Sequence, residues 1–294
     1  LPLLIVFNLI MNSDAGIAVQ KLFAPITEKV FRLPRAASGA MLFGLIGGYP
    51  TGALITERLY ENSDIDRETA KKLLRFNVNG GAAFIITGIG SVILKSEKAG
   101  FILFASTTAS ALLIAFLTSF RNKKIKSSCD YYSTVSFGDA LTKSTESAVK
   151  AVLNISAYII LFSSLLNIPE IPGFLSPVIE ITGGIVCNSG HFSLPQTAAF
   201  LAFGGLCIHF QLFSIIKKAG MRYAEFFLWR VLHSAFSYAL CSLLVKIFPA
   251  GTAVFSNSAE SIAVPFSVNL TLSVLMMIGC AVIVLDIESR KRKC

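Results

Sequence analysis

Uncharged apolar runs alternate with short basic segments along the whole chain. Residues 36–56, 76–94, 99–120, 151–169, 192–216 and 261–285 contain no Asp, Glu, Lys or Arg. Each run is close to or longer than the roughly 20 residues a helix needs to cross the hydrocarbon core of a bilayer. The pattern predicts helical through-spans near 2–20, 75–95, 99–120, 149–168, 194–216, 224–248 and 264–286. Two apolar segments do not read as single helices. Residues 36–56 carry Gly47-Gly48-Tyr49-Pro50-Thr51-Gly52 at their centre, where Pro and closely spaced Gly break a helix. Residues 173–190 are interrupted by Thr182-Gly183-Gly184 and bounded by Pro169, Pro172, Pro177 and Pro195.

Charge placement turns this list into a topology. Nearly all Lys and Arg fall in five segments: 21–35, 58–75, 121–150, 217–230 and the tail 290–293. The positive-inside rule assigns these segments, and the C-terminus, to the cytoplasm. Both flanks of 36–56 are then cytoplasmic, which a single crossing cannot give, so 36–56 reads as a hairpin re-entering from that face. Treating 173–190 as re-entrant from the opposite face lets the remaining loops alternate.

Composition supports the membrane reading and removes others. The chain is 54% hydrophobic and 15% charged, with mean hydropathy +0.68, against about 25% charge for a soluble domain. A cytosolic enzyme, a secreted disulfide scaffold and a nucleic-acid-binding domain are excluded. The net charge of +9 marks cytoplasmic loops rather than nucleic-acid contact. The six cysteines form no C-x-x-C pair and read mostly as small core residues. The chain opens inside an apolar segment without an initiator Met or basic leader, as expected when the native start lies upstream.

An internal repeat appears at the second spans. Phe76-Asn77-Val78-Asn79-Gly80-Gly81 recurs as Phe200-Leu201-Ala202-Phe203-Gly204-Gly205, and Lys98-Ala99-Gly100 is echoed by Lys218-Ala219-Gly220. Each half reads span, hairpin, span, span. Three crossings per half invert the second half relative to the first. The fold class expected is an all-α polytopic bundle of two inverted-topology repeats, each with a re-entrant broken hairpin. The expected divisions are a first repeat, 1–120, a basic linker, 121–148, a second repeat, 149–248, and a final span with tail, 249–294. Paired Gly/Pro-broken segments in two halves point to a midplane transport site; close packing of small residues is the alternative. Phe137, Leu141, Ala148 and Val152 form an amphipathic lead-in to the span at 149–168. Ser63 and Asp66 are spaced as a capping box for a cytoplasmic helix over 63–76. No glycine-rich phosphate loop is present to couple nucleotide hydrolysis to transport.

The run Arg32-Leu33-Pro34 … Gly44-Leu45-Ile46-Gly47-Gly48-Tyr49-Pro50-Thr51-Gly52-Ala53 resembles the sporulation integral membrane protein YlbJ family, also called stage V sporulation protein V. That family belongs to the nucleoside recognition or Gate domain group. Its G-Y-P-x-G-A core is met by Gly48–Ala53, followed by Glu57-Arg58 and the Asn-rich start Phe76-Asn77-Val78-Asn79. Its Glu-x-Thr-x-Gly core is met by Glu180-Ile181-Thr182-Gly183-Gly184. Where the family carries Asn-Ser-Ser-Asn-Pro, this chain reads Asn77-Val78-Asn79-Gly80-Gly81. The resemblance spans most of 1–248. It implies movement of dipicolinic acid across the outer forespore membrane, and more distantly a relation to the gates of nucleoside and ferrous iron transporters.

The candidate substrate residues follow from these breaks. Gly47, Gly48, Pro50 and Gly52 open the backbone at membrane depth, freeing N–H and C=O groups for a ligand, and Thr51 lies among them. Tyr49 can stack on a pyridine or nucleobase ring, or pack in the bundle. In the second hairpin Glu180, Thr182, Gly183 and Gly184 are the counterparts, with Glu180 an intramembrane carboxylate suited to a coupling proton or cation, to pairing with Arg230, or to capping the hairpin. Asn77, Asn79, Asn188 and Ser189 offer amide and hydroxyl contacts, or interhelical hydrogen bonds. Arg230 reads as a counter-charge for an anion or as a snorkelling cation. His209, mid-span, is the second coupling candidate; His191, His209 and His233 lack metal-ligand spacing. No catalytic constellation, cofactor motif or metal cluster is legible. The expected partners are a small organic anion or nucleoside and membrane lipid, without nucleic acid, and a homo-oligomer is compatible. The chain is expected in a bacterial membrane, the cell membrane or the outer forespore membrane, as an anion transporter. A nucleoside transporter and a non-transporting gate or scaffold subunit are the alternatives.

The topology carries a direct test. Single cysteines at Asn122 and Asn257, in a cysteine-free background, should react with an impermeant maleimide from the cytoplasmic and the outer side, respectively. Labelling of both from one side contradicts the three crossings placed between them.

Overall fold

The computed structural model describes residues 2–11, 14–120, 137–166, 171–188 and 190–248, all within one unit, Leu1–Val254. Every regular element among them is helical. In chain order these are α1 (Pro2–Met11), α2 (Asp14–Lys29), α3 (Ala37–Gly47), α4 (Tyr49–Glu61), α5 (Arg67–Phe76), a π-helix (Ala83–Ile93) and α6 (Glu97–Ser119). Then come α7 (Phe137–Leu166), a 3₁₀ turn (Gly173–Leu175), α8 (Ser176–Ile179), α9 (Ile181–Cys187), α10 (Leu194–Phe203), α11 (Gly205–Ile215) and α12 (Tyr223–Ile247). Four passages are long and apolar enough to cross a membrane: Glu97–Ser119, Gly138–Leu166, Leu194–Ile215 and Tyr223–Ile247. They coincide with the spans expected at 99–120, 149–168, 194–216 and 224–248. The final span at 264–286, the basic tail and linker residues 121–136 lie outside the described residues.

Three expected spans are not single helices, among them 194–216, where Gly204 parts α10 from α11. The 2–20 segment is α1, ending at Met11, followed by α2, starting at Asp14. The 75–95 segment is broken as well. Helix α5 stops at Phe76, residues 77–81 carry no helical structure, and the chain resumes as the π-helix. Two Asn and a Gly pair cannot sustain an α-helix there. The π-helix closes with Leu94 N–H on the Ile89 carbonyl at 2.8 Å, a five-residue step. It packs backbone to backbone on α6: a Cβ on Gly90 would stand 2.4 Å from the Gly100 Cα.

Helix ends follow local chemistry. Asp66, not Ser63, caps α5, its carboxylate accepting the Thr69 N–H at 2.8 Å; Ser63 instead takes a positive φ of 64° in the turn after α4. Ser193 and Gln196 form a reciprocal capping box at the start of α10. The amphipathic lead-in before residue 149 is continuous with the following span, and its Ala148 and Ala151 pack on Leu4 of α1.

The core forms where α12 lies against α10 and α6, α6 against the π-helix, and α3 against α4. One cluster of buried side chains joins both halves, including Tyr49, Phe76, Val78, Ile181, Leu201 and Phe226. On the outside, Ile160, Leu161 and Leu165 of α7 and Leu228, Val231 and Leu243 of α12 are exposed. Such apolar faces suit contact with lipid rather than water.

Candidate functional site

Two helix breaks dominate the interior. Helices α3 and α4 form a pair joined at Gly48, whose φ of 106° and ψ of 169° are open to glycine, and Pro50 stands in the first turn of α4, where its missing N–H costs nothing. The α3 and α4 backbones touch at Gly44 and Gly52, where a Cβ on Gly52 would come within 2.2 Å of the Asn77 carbonyl oxygen. A Cβ on Gly47 would meet the Phe7 ring at 2.7 Å. The second break lies at Glu180, between α8 and α9, and not at Thr182-Gly183-Gly184, which belongs to α9. Gly184 serves close approach instead, since a Cβ there would stand 2.3 Å from the Pro177 nitrogen. Glu180 is 1% exposed and caps α9, accepting the Thr182 N–H at 2.9 Å and the Gly183 N–H at 2.5 Å.

The two repeated six-residue motifs both sit at helix breaks, and matching positions make matching contacts. At the sixth position, a Cβ on Gly81 would lie 3.2 Å from the Gly48 Cα, and one on Gly205 would lie 3.1 Å from the Pro177 carbonyl oxygen and 3.3 Å from the Ile181 nitrogen. Each motif therefore abuts the break of the hairpin that precedes it. At the fifth position, Gly80 and Gly204 flank Tyr49, with ring or hydroxyl atoms 3.2 and 3.4 Å from where their Cβ atoms would be. At the third position, the Val78 and Ala202 carbonyls both accept hydrogen bonds from the Arg230 guanidinium.

The Gly204 break, in the left-handed conformation at φ 88°, frees the last carbonyls of α10. Each finds a donor. Gly204 N–H reaches the Phe200 carbonyl at 2.9 Å, and the Tyr49 hydroxyl donates to Leu201 at 2.7 Å. Arg230 Nη2 donates to Ala202 at 2.6 Å, and His209 Nε2 meets Phe203 at 3.0 Å. A carbonyl only accepts, so His209 carries its proton on Nε2. The same logic puts the His233 proton on Nε2, 2.9 Å from the Thr107 carbonyl, leaving Nδ1 to accept from Arg230 Nη2. Arg230 is 1% exposed. It is a buried hydrogen-bonding hub and neither snorkels nor pairs with Glu180.

The remaining expected residues divide. Asn77 Nδ2 donates to the Gly52 carbonyl at 3.2 Å and to Thr56 Oγ1 at 2.8 Å, and Asn79 Nδ2 donates to Thr108 Oγ1 at 3.2 Å. Thr51 Oγ1, Asn77 Oδ1, Asn79 Oδ1 and Arg230 Nε are buried without a partner among the described residues. Asn188 bonds back to the Gly184 carbonyl at 2.9 Å at the far end of α9, and Ser189 lies outside the described residues. Arg230 and His233 join the cluster although periodicity gave no reason to pair them; the only signal was a charge inside an apolar run.

A latch ties the first half to the second at the end of α4. The buried Glu57 carboxylate accepts the Lys218 N–H at 2.5 Å and the Ala219 N–H at 3.2 Å. Arg67 Nε donates to the Ala219 carbonyl at 3.2 Å, and Arg75 pairs with Glu225 at 2.6 Å beneath the Trp229 ring. Lys218 also pairs with Glu61 at 2.9 Å, and that carboxylate holds its ammonium above the usual lysine range. Burial decides which of these contacts matters. Glu57→Ala, which strands two backbone donors, should cost about 1–3 kcal/mol. Glu61→Ala, which removes an exposed pair, should cost much less than Glu57→Ala. Thermal unfolding in detergent measures both, and equal losses would contradict the ranking.

No protein-family model matches the chain, and no solved structure matches it. The chain is similar to the sporulation integral membrane protein YlbJ of Bacillus subtilis (strain 168), 23% identical over 298 aligned residues that cover 84% of this chain and 73% of that protein. The four long apolar passages and this similarity to an integral membrane protein support a membrane location for the chain.

Proposed function

We propose that the chain is a transporter of a small organic anion, dipicolinic acid (pyridine-2,6-dicarboxylate), across the outer forespore membrane during sporulation. The observation that carries this reading is the meeting of two Gly-Gly-broken passages around Tyr49 and Arg230. Breaks of this kind expose backbone dipoles and polar side chains at membrane depth, and paired breaks in two halves are how many transporters build a midplane site. The matched third, fifth and sixth motif positions support two repeats, 1–120 and 149–248, of inverted topology, with the α3–α4 and α8–α9 pairs as the re-entrant hairpins. In this reading the substrate lies between Gly47–Gly52, Asn77 and Asn79 on one side and Glu180 and Thr182–Gly184 on the other. Opening of one half against the other then makes room beside Tyr49. Glu180 and His209 are the groups placed to couple a proton. The chemistry is movement rather than catalysis, and no cofactor takes part.

Uptake into proteoliposomes tests the proposal. The purified protein should give saturable uptake of labelled pyridine-2,6-dicarboxylate and little of uridine. Gly48→Leu, which puts a side chain where φ is 106°, should reach the membrane but lose uptake. Uridine uptake alone would favour nucleoside transport, and uptake of neither solute would favour a gate or scaffold role. Wild-type uptake by Gly48→Leu would mean that the Gly-Tyr-Pro break only packs.

A further inference from the structure

Arg230 carries a positive charge that no described side chain balances. It lies two turns inside α12 and is 1% exposed. The acidic groups of the interior and its rim are committed elsewhere. Glu180 faces the Thr182 and Gly183 N–H groups, Glu57 faces the Lys218 and Ala219 N–H groups, and Glu225 holds Arg75. Arg230's own partners are neutral: the Val78 and Ala202 carbonyls, the His233 ring nitrogen and, at 5.9 Å, the Phe226 ring. Its Nε has no acceptor among the described residues.

Taking the freed carbonyls does not require a cation. The neighbouring freed carbonyls are taken by neutral donors: the Tyr49 hydroxyl on Leu201 and His209 Nε2 on Phe203. The C-terminal end of α10 supplies only about half a negative charge against the guanidinium. A buried, unbalanced guanidinium is costly in an apolar bundle, so its charge exceeds what the structure needs. Its Nε–H, buried without an acceptor among the described residues, can donate a charge-assisted hydrogen bond to a carboxylate oxygen.

We propose that Arg230 recognises the anionic end of the transported molecule, making the site selective for a carboxylate over a neutral solute of the same shape. This inference rests on the transport reading above.

The test compares pyridine-2,6-dicarboxylate with its neutral diamide, as binding to purified protein in detergent and as proteoliposome uptake. Wild-type protein should bind the dicarboxylate at least tenfold more tightly than the diamide, a difference of about 1.4 kcal/mol. Arg230→Lys, which keeps the charge without the planar fork, should retain part of that preference, and Arg230→Gln should lose it. Equal wild-type binding of the two compounds overturns the assignment, as does an Arg230→Gln variant with wild-type preference. Should Arg230→Gln fail to fold, the wild-type and Arg230→Lys comparisons still decide. Uridine uptake without dicarboxylate binding overturns the Arg230 role while leaving transport standing. Uptake of no solute overturns both.

Discussion

Inside an apolar bundle a helix that stops early leaves carbonyls with no water to accept from. The architecture around Tyr49, Arg230 and His209 answers that constraint. The last carbonyls of α10 are taken one by one by groups from α4, α12 and α11, and Arg230 reaches across to the Val78 carbonyl as well. A break in one half is thereby completed by side chains from both. The breaks are stable because the two halves meet, and the halves meet in register because the breaks need these donors.

The close approaches follow from the same arrangement. Tyr49 reaches Leu201 only because Gly80 and Gly204 leave room for its ring, and Gly81 and Gly205 let each broken passage lie directly on its hairpin. At the edge, the Glu57 and Arg67 contacts hold the turn at 218–220 against α4 and α5. Buried hydrogen bonds at the centre and a charged latch at the rim give two sets of contacts, both of which would have to rearrange for one half to move against the other.

Much of this arrangement was legible in the sequence. Charge placement and uncharged runs located the long helices, because the cost of burying charge in lipid is large and local. Gly48 and Pro50 announced the first break, because both act on the backbone where they stand. The repeated Gly-Gly motifs pointed to the right places but suggested intact spans, since an apolar run gives no sign that Asn77 to Gly81 will leave the helix. The second break was misplaced for a related reason. Gly183 and Gly184 look like breakers, whereas Gly184 permits contact with Pro177 and the break is set by Glu180, a less usual capping residue than Asp or Ser. Arg230's partners are 28 and 152 residues away, so only the fold could show that the charge is buried and shared between the motifs.

The central claim is that the first-half hairpin docks on the second half so that the two breaks face each other. Zero-length carbodiimide coupling in native membranes tests it most directly, because Glu61 and Lys218 lie 2.9 Å apart and are both exposed. Mass spectrometry should find an amide linking residues 61 and 218, alongside the Glu146–Lys150 link expected from an intrahelical pair at 2.5 Å. Recovery of the 146–150 link without any between 61 and 218 would contradict the docking, and with it the shared site.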